Sequence, residues 1–283
     1  MKRICFYHAG CPDGFGAAWA VWNAWGEAGR YVPRGHDDRI RVGDYEGALV
    51  TYVDIAPHND ELCALAELAE SVVILDHHVS SRDRFESDPD ARNAAEDGGH
   101  TVHFDLHHSG AVLAWQHFLP DQPSPALLRY VEDQDLWNWK LPSSREINAA
   151  IASYPRTFGI WSELASRPPE ELARQGEPIV RSNQMEVERV VHDAFPVTVE
   201  RQRVEAANAS HNRSSVGHEL ALRAAYGVPC GCVFRVIGDR VFVTLYSVGE
   251  YDVAAVAARF GGGGHRNAAG FNVSLRTWLE DFV

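Results

Sequence analysis

The sequence predicts an α/β protein with two domains: an N-terminal doubly wound domain with a mostly parallel sheet, and a smaller C-terminal α/β domain, with an active-site cleft between them. Three observations predict this class. Short β-branched or aromatic runs alternate with helical patterns, a polar residue follows each run, and the last part of the chain has its own hairpin and helix patterns. A chain of 283 residues is long enough to form two such cores.

Four short apolar runs predict the strands of the parallel sheet. They are Ile4–Tyr7, Val50–Val53, Val72–Leu75 and Thr101–Phe104. After the first run, large apolar residues recur on one face of a predicted helix, namely Phe15, Ala18, Trp19, Trp22 and Trp25. Strands that alternate with helices favour parallel pairing, because the helix returns the chain to the start of the next strand.

The second domain is predicted to begin near residue 205. Residues 155–204 contain helical patterns spotted with proline and arginine and are interpreted as a helical connector, so the domains are 1–204 and 205–283. The elements predicted for the second domain are the hairpin strands Gly231–Ile237 and Arg240–Val248 and the amphipathic helix Asp252–Phe260. These patterns indicate a small α/β module.

The composition excludes several classes of function. The net charge of −13, from 26 basic and 39 acidic residues, argues against an extensive surface for long duplex nucleic acid. The first apolar run ends at His8, too early for a signal peptide, and longer runs fall short of the roughly 18 residues that a membrane span needs. Five scattered cysteines do not form a disulfide framework. A soluble, cytoplasmic protein that does not bind membranes is expected.

Polar residues follow the four predicted strands. They are His8, Asp54, Asp76-His77-His78 and Asp105. Because ligands bind outside the carboxyl ends of parallel strands, these side chains are expected to lie close together. Histidine and aspartate are ligands for divalent ions such as Mn²⁺, and two such ions can activate a hydroxide for phosphate hydrolysis. The alternative is that these residues form hydrogen-bonded turns.

Two glycine-rich segments add to this pattern. In the first, residues 8–16, a turn carries Asp13 between a strand and a helix, where small residues and the helix N-terminus favour an anion. The second segment, Gly261–Gly270, offers backbone amides with basic and amide side chains, which is typical of an anion cradle. Its candidate substrate-binding residues are Gly263, Gly264, His265, Arg266 and Asn267. The alternative interpretation is a flexible linker.

Taken in order, these motifs resemble the DHH phosphoesterase superfamily with its DHH-associated C-terminal domain, which includes RecJ-like exonucleases and NrnA-like phosphoesterases. The resemblance spans nearly the whole chain. The matching segments are His8 to Gly14, Val53-Asp54, Asp76-His77-His78, Asp133-Gln134-Asp135-Leu136-Trp137 and Gly261–Gly270.

The resemblance implies a centre with two Mn²⁺ ions, which Mg²⁺ or Co²⁺ can replace. The implied metal ligands are His8 and Asp13 for one ion, Asp54 as the bridge, and His77 with Asp133 for the second ion. Asp135 is the alternative ligand in the fourth motif. His78 is implied to contact the scissile phosphate, and Asp76 is expected to orient a ligand from the second shell of the site.

One departure from the family pattern concerns the first motif. The family supplies a further aspartate to the second metal there, whereas Cys11 and Phe15 occupy the candidate positions in this sequence. Manganese prefers oxygen and nitrogen to thiolate, so the second metal site is expected to be the weaker one.

The expected function is metal-dependent hydrolysis of phosphoester or phosphodiester bonds in small nucleotides or short oligonucleotides, by a hydroxide that two metal ions activate. One alternative is an exopolyphosphatase or pyrophosphatase, which needs the same metals and takes polyphosphate as its substrate. Another is a degenerate, non-catalytic nucleotide-binding protein. The sequence does not rank these substrates, and it leaves a homodimer open.

Overall fold

The computed structural model describes residues 1–36 and 38–283, which pack into two compact units, Met1–Val180 and Arg181–Val283. This division differs from the sequence-based boundary near residue 205. Strand Phe195–Val199, which the sequence interpretation placed in a helical connector, pairs antiparallel with Gln202–Asn208 in the second sheet. A boundary at 205 would cut the second of these paired strands, so the first domain ends earlier than predicted.

The first unit contains a five-stranded sheet. Its strands are β1 (Arg3–His8), β2 (Gly29–Arg34), β3 (Leu49–Val53), β4 (Ser71–Asp76) and β5 (Thr101–Phe104). Its helices are α1 (Pro12–Trp25), α2 (Asn59–Leu68), α3 (Val79–Glu86), α4 (Pro89–Asp97), α5 (Gly110–Phe118), α6 (Ala126–Asp135), α7 (Ser144–Ser153) and α8 (Phe158–Ser166). Helix α9 (Pro169–His192) runs from the first unit into the second and contains Pro178 close to the division.

All neighbouring strands of the first sheet are parallel, in the order β2-β1-β3-β4-β5. The predicted α/β class with a parallel sheet is confirmed. The strand order reverses direction between β1 and β3, and such a switch point leaves a crevice at the carboxyl ends of the strands. Strand β2 was not predicted. It contains Pro33, which lacks a backbone N–H, and it tolerates this residue because it is an edge strand that pairs only with β1.

Apolar residues cover both faces of this sheet, as a doubly wound fold requires. Successive residues of β1 point to opposite faces: Cys5 joins one core, and Ile4 and Phe6 join the other. The first core includes Trp19, Trp115 and Trp161 from helices α1, α5 and α8. The second core includes Leu62 and Leu65 from α2 and Ala91 from α4. Helices therefore pack against both faces of the sheet, and this packing holds the carboxyl ends of its strands in fixed positions.

The second unit contains a mixed six-stranded sheet. Its strands are β6 (Phe195–Val199), β7 (Gln202–Asn208), β8 (Cys230–Ile237), β9 (Arg240–Ser247), β10 (Gly263–His265) and β11 (Ala268–Ser274). Its helices are α10 (Arg213–Arg223), α11 (Val253–Ala258) and the short α12 (Leu275–Thr277), which continues as a π-helical turn over Trp278–Phe282. The order is β10-β11-β9-β8-β7-β6. The hairpin of β8 and β9 and the helix after Asp252 agree with the sequence prediction.

Within the described part of the chain, none of the helices is long and apolar enough to cross a membrane. All five cysteines are free thiols.

Candidate metal centre

The polar ends of three adjacent strands meet at the switch point of the first sheet. His8 is the last residue of β1, Asp54 follows β3 directly, and Asp76 is the last residue of β4. Since β3 pairs with both β1 and β4, these ends lie side by side. The expected clustering of these residues is observed. Asp105 instead forms a local turn, in which its carboxylate accepts the backbone N–H of His107 at 2.8 Å.

The first group of candidate ligands consists of His8, Cys11 and Asp54. The Sγ atom of Cys11 lies 3.4 Å from His8 Nδ1 and 3.4 Å from Asp54 Oδ2. His8 Nδ1 also lies 3.4 Å from Asp54 Oδ2. Helix α1 approaches β1 very closely here. A Cβ on Gly14 would come within 2.1 Å of the His8 carbonyl oxygen. Gly14 therefore permits the approach that brings these donors together.

The second group consists of Asp13, His77 and Asp135. The Nε2 atom of His77 lies 3.6 Å from Asp13 and 3.5 Å from Asp135. The same nitrogen lies 3.0 Å from Oδ1 of Asp54. The two oxygens of Asp54 thus face different groups, Oδ2 toward Cys11 and Oδ1 toward His77. This arrangement suits the bridging role that was predicted for Asp54.

The N-terminus of α5 holds Asp13 in place. The backbone N–H groups of Gly110 and Ala111 donate to its two carboxylate oxygens at 2.8 and 3.1 Å. Ser109 precedes them as the N-cap of α5. A Cβ on Gly110 would come within 2.3 Å of the Cβ of Asp54, so the helix end also packs against Asp54. The sequence did not predict this contact between α5 and Asp13.

The structure separates the two candidate ligands of the fourth motif. Asp133, the predicted ligand, faces away from the cluster and accepts the backbone N–H groups of Lys140 and Leu141 at 2.9 and 3.2 Å. Asp135, the alternative, faces His77. Residues two apart on a helix point about 200° apart, so only one of the two can reach the cluster. The geometry favours Asp135 and corrects the assignment of Asp133.

The structure also corrects the assignment of the first motif. Asp13 lies with His77 and Asp135, rather than completing the His8 group. Cys11 takes the third position in the His8 group. Phe15 belongs to the apolar core, where its ring packs on Phe158. The group that is short of a carboxylate is therefore the His8 group and not the one predicted.

Asp76 and His78 form a hydrogen-bonded pair, whereas the sequence predicted only that Asp76 orients a metal ligand. His78 Nδ1 lies 2.7 Å from Asp76 Oδ1, which also accepts the backbone N–H of His77 at 2.8 Å. The ring of His78 lies 5.6 Å from that of His8 and 5.1 Å from that of His36. Sequence reasoning missed His36, because it follows the unpredicted strand β2. The signal that could have found it is the same one that found the others, a histidine after a strand.

Burial and mutual repulsion govern the protonation of this cluster. Burial raises the pKa of Asp13 well above its usual range, and neighbouring Asp54 and Asp135 raise it further. Burial likewise raises the pKa of Asp135. It opposes ionisation of Asp54 too, but hydrogen bonds with His77 and His8 outweigh it and hold the Asp54 pKa well below its usual range. Burial disfavours charged His77, yet the bond with Asp54 prevails and raises the His77 pKa.

These residues fit divalent cations. Three carboxylates converge on the imidazole of His77, and repulsion between them is what a bound cation relieves. A cation would also leave His77 neutral, which is the form of histidine that binds metals. In addition, Asp76 Oδ2 is buried and has no hydrogen-bond partner among the described residues. The donor atoms are oxygen, nitrogen and one sulfur, all of which coordinate first-row divalent metals.

In the second unit, the candidate substrate-binding residues form a turn between β10 and β11. Gly263, Gly264 and His265 pair with β11, and a Cβ on Gly264 would meet the Ala268 carbonyl oxygen at 2.6 Å. Arg266 donates to the Glu250 carboxylate at 2.7 Å, and the Asn267 amide donates to Ser247 Oγ at 2.9 Å. The glycines thus permit close strand pairing, and Asn267 fixes the neighbouring loop. Binding of substrate by these five residues stays a prediction.

Comparison with known proteins adds information about the fold. No family model matches the sequence. An uncharacterised protein of Acanthamoeba polyphaga mimivirus is 24% identical over 294 residues, which cover 96% of this chain and 67% of that protein. Among solved structures, a DHH domain described as a member of the s1p family of ribosomal proteins matches with a TM-score of 0.57 and 16% identity, covering 98% of this chain and 83% of its own.

A second solved structure, an exopolyphosphatase-related protein from Bacteroides fragilis, matches with a TM-score of 0.51 and 13% identity, covering 95% of this chain and 86% of its own. A pGpG-specific phosphodiesterase from Vibrio aligns with a TM-score of only 0.43 at 8% identity, over 98% of this chain and 94% of its own. The chain thus has the fold of DHH-domain proteins, and the predicted resemblance is confirmed at the level of the fold.

Proposed function

We propose that this chain, which has the fold of DHH-domain proteins, is a metal-dependent phosphoesterase acting on phosphoester or phosphodiester bonds of small nucleotides or short oligonucleotides. The observation that carries the proposal is the convergence of Asp13, Asp54 and Asp135 on His77, beside His8, at the switch point of a parallel sheet. Buried carboxylates and imidazoles grouped in this way are a ligand set for divalent ions. Manganese is the proposed ion, with Mg²⁺ or Co²⁺ as substitutes.

Two bound divalent cations would supply the positive charge that binds and polarises a phosphoryl group and lowers the pKa of a water molecule. The chain's own contribution is to fix the ligands. Asp54 faces both groups, the α5 amides orient Asp13, and Asp76 orients the ring of His78. Preorganised ligands need no rearrangement during the reaction, and this is where enzymes gain most of their electrostatic stabilisation.

His78 is the proposed contact to a phosphate oxygen. Burial opposes its charged form, but the Asp76 carboxylate outweighs this effect and raises the His78 pKa. A histidine that keeps its proton can donate a charge-assisted hydrogen bond to an anionic oxygen. The imidazole of His265 and the guanidinium of Arg266 have the chemistry to bind a further phosphate, and they stay in the proposal on that ground, together with Gly263, Gly264 and Asn267.

The acidic composition supports a short substrate. With a net charge of −13, the surface lacks the excess of lysine and arginine that long nucleic acids require, so bound cations must provide the local attraction for phosphate. Polyphosphate is the second candidate substrate. The name of the Bacteroides fragilis neighbour, exopolyphosphatase-related, supports testing it.

The test is a substrate screen with the full-length protein, stripped of metal and reloaded with Mn²⁺. Four substrates are compared: a linear dinucleotide, 3′-phosphoadenosine phosphate, a cyclic dinucleotide and polyphosphate. Metal-dependent turnover of a nucleotide substrate supports the proposal, and turnover of polyphosphate alone supports the second candidate. Metal and nucleotide binding without turnover of any of the four would leave only a binding protein and contradict both.

The bridging residue provides the internal control of the screen. Asp54→Asn should lower the rate by more than about tenfold, which corresponds to roughly 1.4 kcal/mol of transition-state stabilisation, because one carboxylate serves both groups. Asp105→Asn is the matched variant, since Asp105 also follows a strand but only caps a local turn. A rate that falls equally in both variants would show that the activity does not depend on the cluster.

A further inference from the structure

We propose that the metal centre is built for two different cations: a thiolate-binding ion of the Zn²⁺ or Co²⁺ type at His8, Cys11 and Asp54, and a harder ion such as Mn²⁺ at Asp13, His77 and Asp135. The inference rests on the metal-binding part of the proposed function and is independent of the reaction. It assigns Cys11 as a metal ligand, in the group where the sequence alone suggested two oxygen donors.

The geometry of the first group matches a single coordination sphere. The Cys11 Sγ, His8 Nδ1 and Asp54 Oδ2 atoms are mutually separated by 3.4 Å. Ligand atoms bonded at about 2.0–2.3 Å to one tetrahedral ion lie roughly 3.3–3.7 Å from each other, so the observed triangle needs little adjustment. Three protein ligands also leave a fourth position for water or substrate, as in catalytic zinc sites.

The donor atoms of the two groups differ in softness. The first group offers one sulfur, one imidazole nitrogen and one carboxylate oxygen, whereas the second offers imidazole and carboxylates alone. Thiolate favours Zn²⁺ and Co²⁺ over Mn²⁺, and carboxylate oxygen suits Mn²⁺. Asp54 presents one oxygen to each group, so both groups share this carboxylate and still differ in their remaining donor atoms.

The protein also holds the sulfur in a fixed position. Cys11 is the N-cap of α1, and the backbone N–H of Gly14 donates to its Sγ at 3.2 Å. Gly14 in turn lies against the His8 carbonyl, which sets the distance between the thiol and the imidazole. When the ion binds, one S–metal bond forms and the thiol proton is released to solvent. Burial and the carboxylates of Asp54, Asp13 and Asp135 raise the pKa of the Cys11 thiol, so the bound ion has to supply most of the stabilisation of the thiolate, and the Gly14 N–H adds to it.

Cobalt provides a direct reporter. Titration of the metal-free, full-length protein with Co²⁺ should produce one equivalent of thiolate-to-cobalt charge-transfer absorption in the near ultraviolet. Cys11→Ser should lose this absorption yet keep its fold, because serine is itself a preferred N-cap and can accept the Gly14 N–H. Cys63→Ser, which removes a partly buried thiol of α2, is the matched control and should keep the absorption.

Competition between metals tests selectivity with a second variant. Zinc binds more tightly than manganese at most sites, so the dialysis buffer contains a large excess of Mn²⁺ over Zn²⁺. Under this excess the wild-type protein should retain Zn²⁺ at the first site and Mn²⁺ at the second, and two Zn²⁺ ions or two Mn²⁺ ions would show that the sites do not differ as proposed. Cys11→Asp replaces sulfur with oxygen and should shift the zinc-to-manganese preference of the first site toward manganese by about tenfold or more. Mass spectrometry of the bound metals gives this ratio. The zinc-to-manganese ratio of the wild-type protein is informative by itself, so the test remains valid if Cys11→Asp folds poorly.

Each outcome has a definite meaning. Bound Co²⁺ without charge-transfer absorption, absorption that persists in Cys11→Ser, or two Mn²⁺ ions retained against Zn²⁺ would each overturn the inference while leaving a metal-dependent phosphoesterase intact. Wild-type protein that takes up no divalent ion would overturn the proposed function as well. Normal cobalt absorption in a wild-type protein that hydrolyses none of the substrates would contradict the proposed function and leave the metal assignment unchanged.

Discussion

At the scale of single residues, Asp54 combines a left-handed backbone conformation with a buried carboxylate. Its backbone has φ of +58°, a left-handed conformation that favours glycine and that aspartate adopts at some cost. Its side chain is buried, and its N–H donates to the Leu75 carbonyl of β4 at 2.9 Å. This backbone strain occurs at the residue whose carboxylate faces both ligand groups. Strain at such a position is typical of functional sites.

Asp133 and Asp135 provide a paired test of residue roles. Asp135→Asn should remove one ligand, weaken metal binding at the His77 group and lower turnover by more than about tenfold, with little change in thermal stability. Asp133→Asn should leave the number of bound ions unchanged but lower the free energy of unfolding by about 1–3 kcal/mol, because Asp133 accepts two backbone N–H groups in a buried position.

Calorimetric metal titration and chemical denaturation of both variants separate these effects. Loss of a bound ion in Asp133→Asn, with normal binding in Asp135→Asn, would reverse the assignment.

At the scale of elements, the N-terminus of α5 positions the cluster without contributing a ligand. Its amides hold both oxygens of Asp13, and Gly110 lies against Asp54. The first turn of a helix has unsatisfied N–H groups and a partial positive charge, so it accommodates a buried carboxylate well. The N-terminus of α5 therefore orients Asp13 and also limits the space around Asp54.

Gly110→Ala should disturb this contact. The added Cβ would meet Asp54, and displacing either element should cost about 1–3 kcal/mol of stability, as overpacked sites do, and should weaken metal binding. Gly159→Ala in α8 is the matched control, because no atom lies within 4 Å of its added Cβ. It should be neutral or stabilise the protein by up to about 1 kcal/mol. Equal metal affinity in Gly110→Ala and wild type would show that α5 does not position the ligands.

At the scale of the whole molecule, both candidate ligand groups lie in the first of the two units. A ligand that binds only the native state stabilises the part of the protein that binds it. Strands β1, β3 and β4 lead to His8, Asp54 and His77, and their carboxyl ends lie among closely spaced carboxylates. Cations should therefore act on the stability of the first unit.

Hydrogen exchange can test this expectation. With divalent ions at about 100 times their dissociation constant, amides of β1, β3 and β4 that exchange by unfolding of the first unit should gain about 2.7 kcal/mol of protection for each bound ion. Amides of β8 and β9 in the second unit serve as the internal reference and should change little. Protection that rises only in β8 and β9 would place the metal sites in the other unit and refute the assignment.

Local pattern in the sequence was enough to predict the α/β class, four strands of the parallel sheet and several residues of the candidate metal centre. The reason is that a polar residue follows each of these four short apolar runs, and parallel strands place their carboxyl ends at one edge. His8, Asp54, Asp76 and His77 could be found this way. Strand β2 could not be predicted in this way, because Pro33 is unusual within a strand. The proline is tolerated because β2 lies at the edge of the sheet.

By itself, then, the sequence determined the fold class, the order of the motifs and the chemical types of the candidate ligands, all of which depend on which residues stand near one another along the chain. The tertiary structure alone decided how the ligands are grouped. Whether Asp133 or Asp135 faces the cluster depends on the rotation of α6, and whether Cys11 or Asp13 joins His8 depends on how closely α1 approaches β1. Helix rotation and approach are set by packing between elements distant in sequence, and spacing along the chain does not record them.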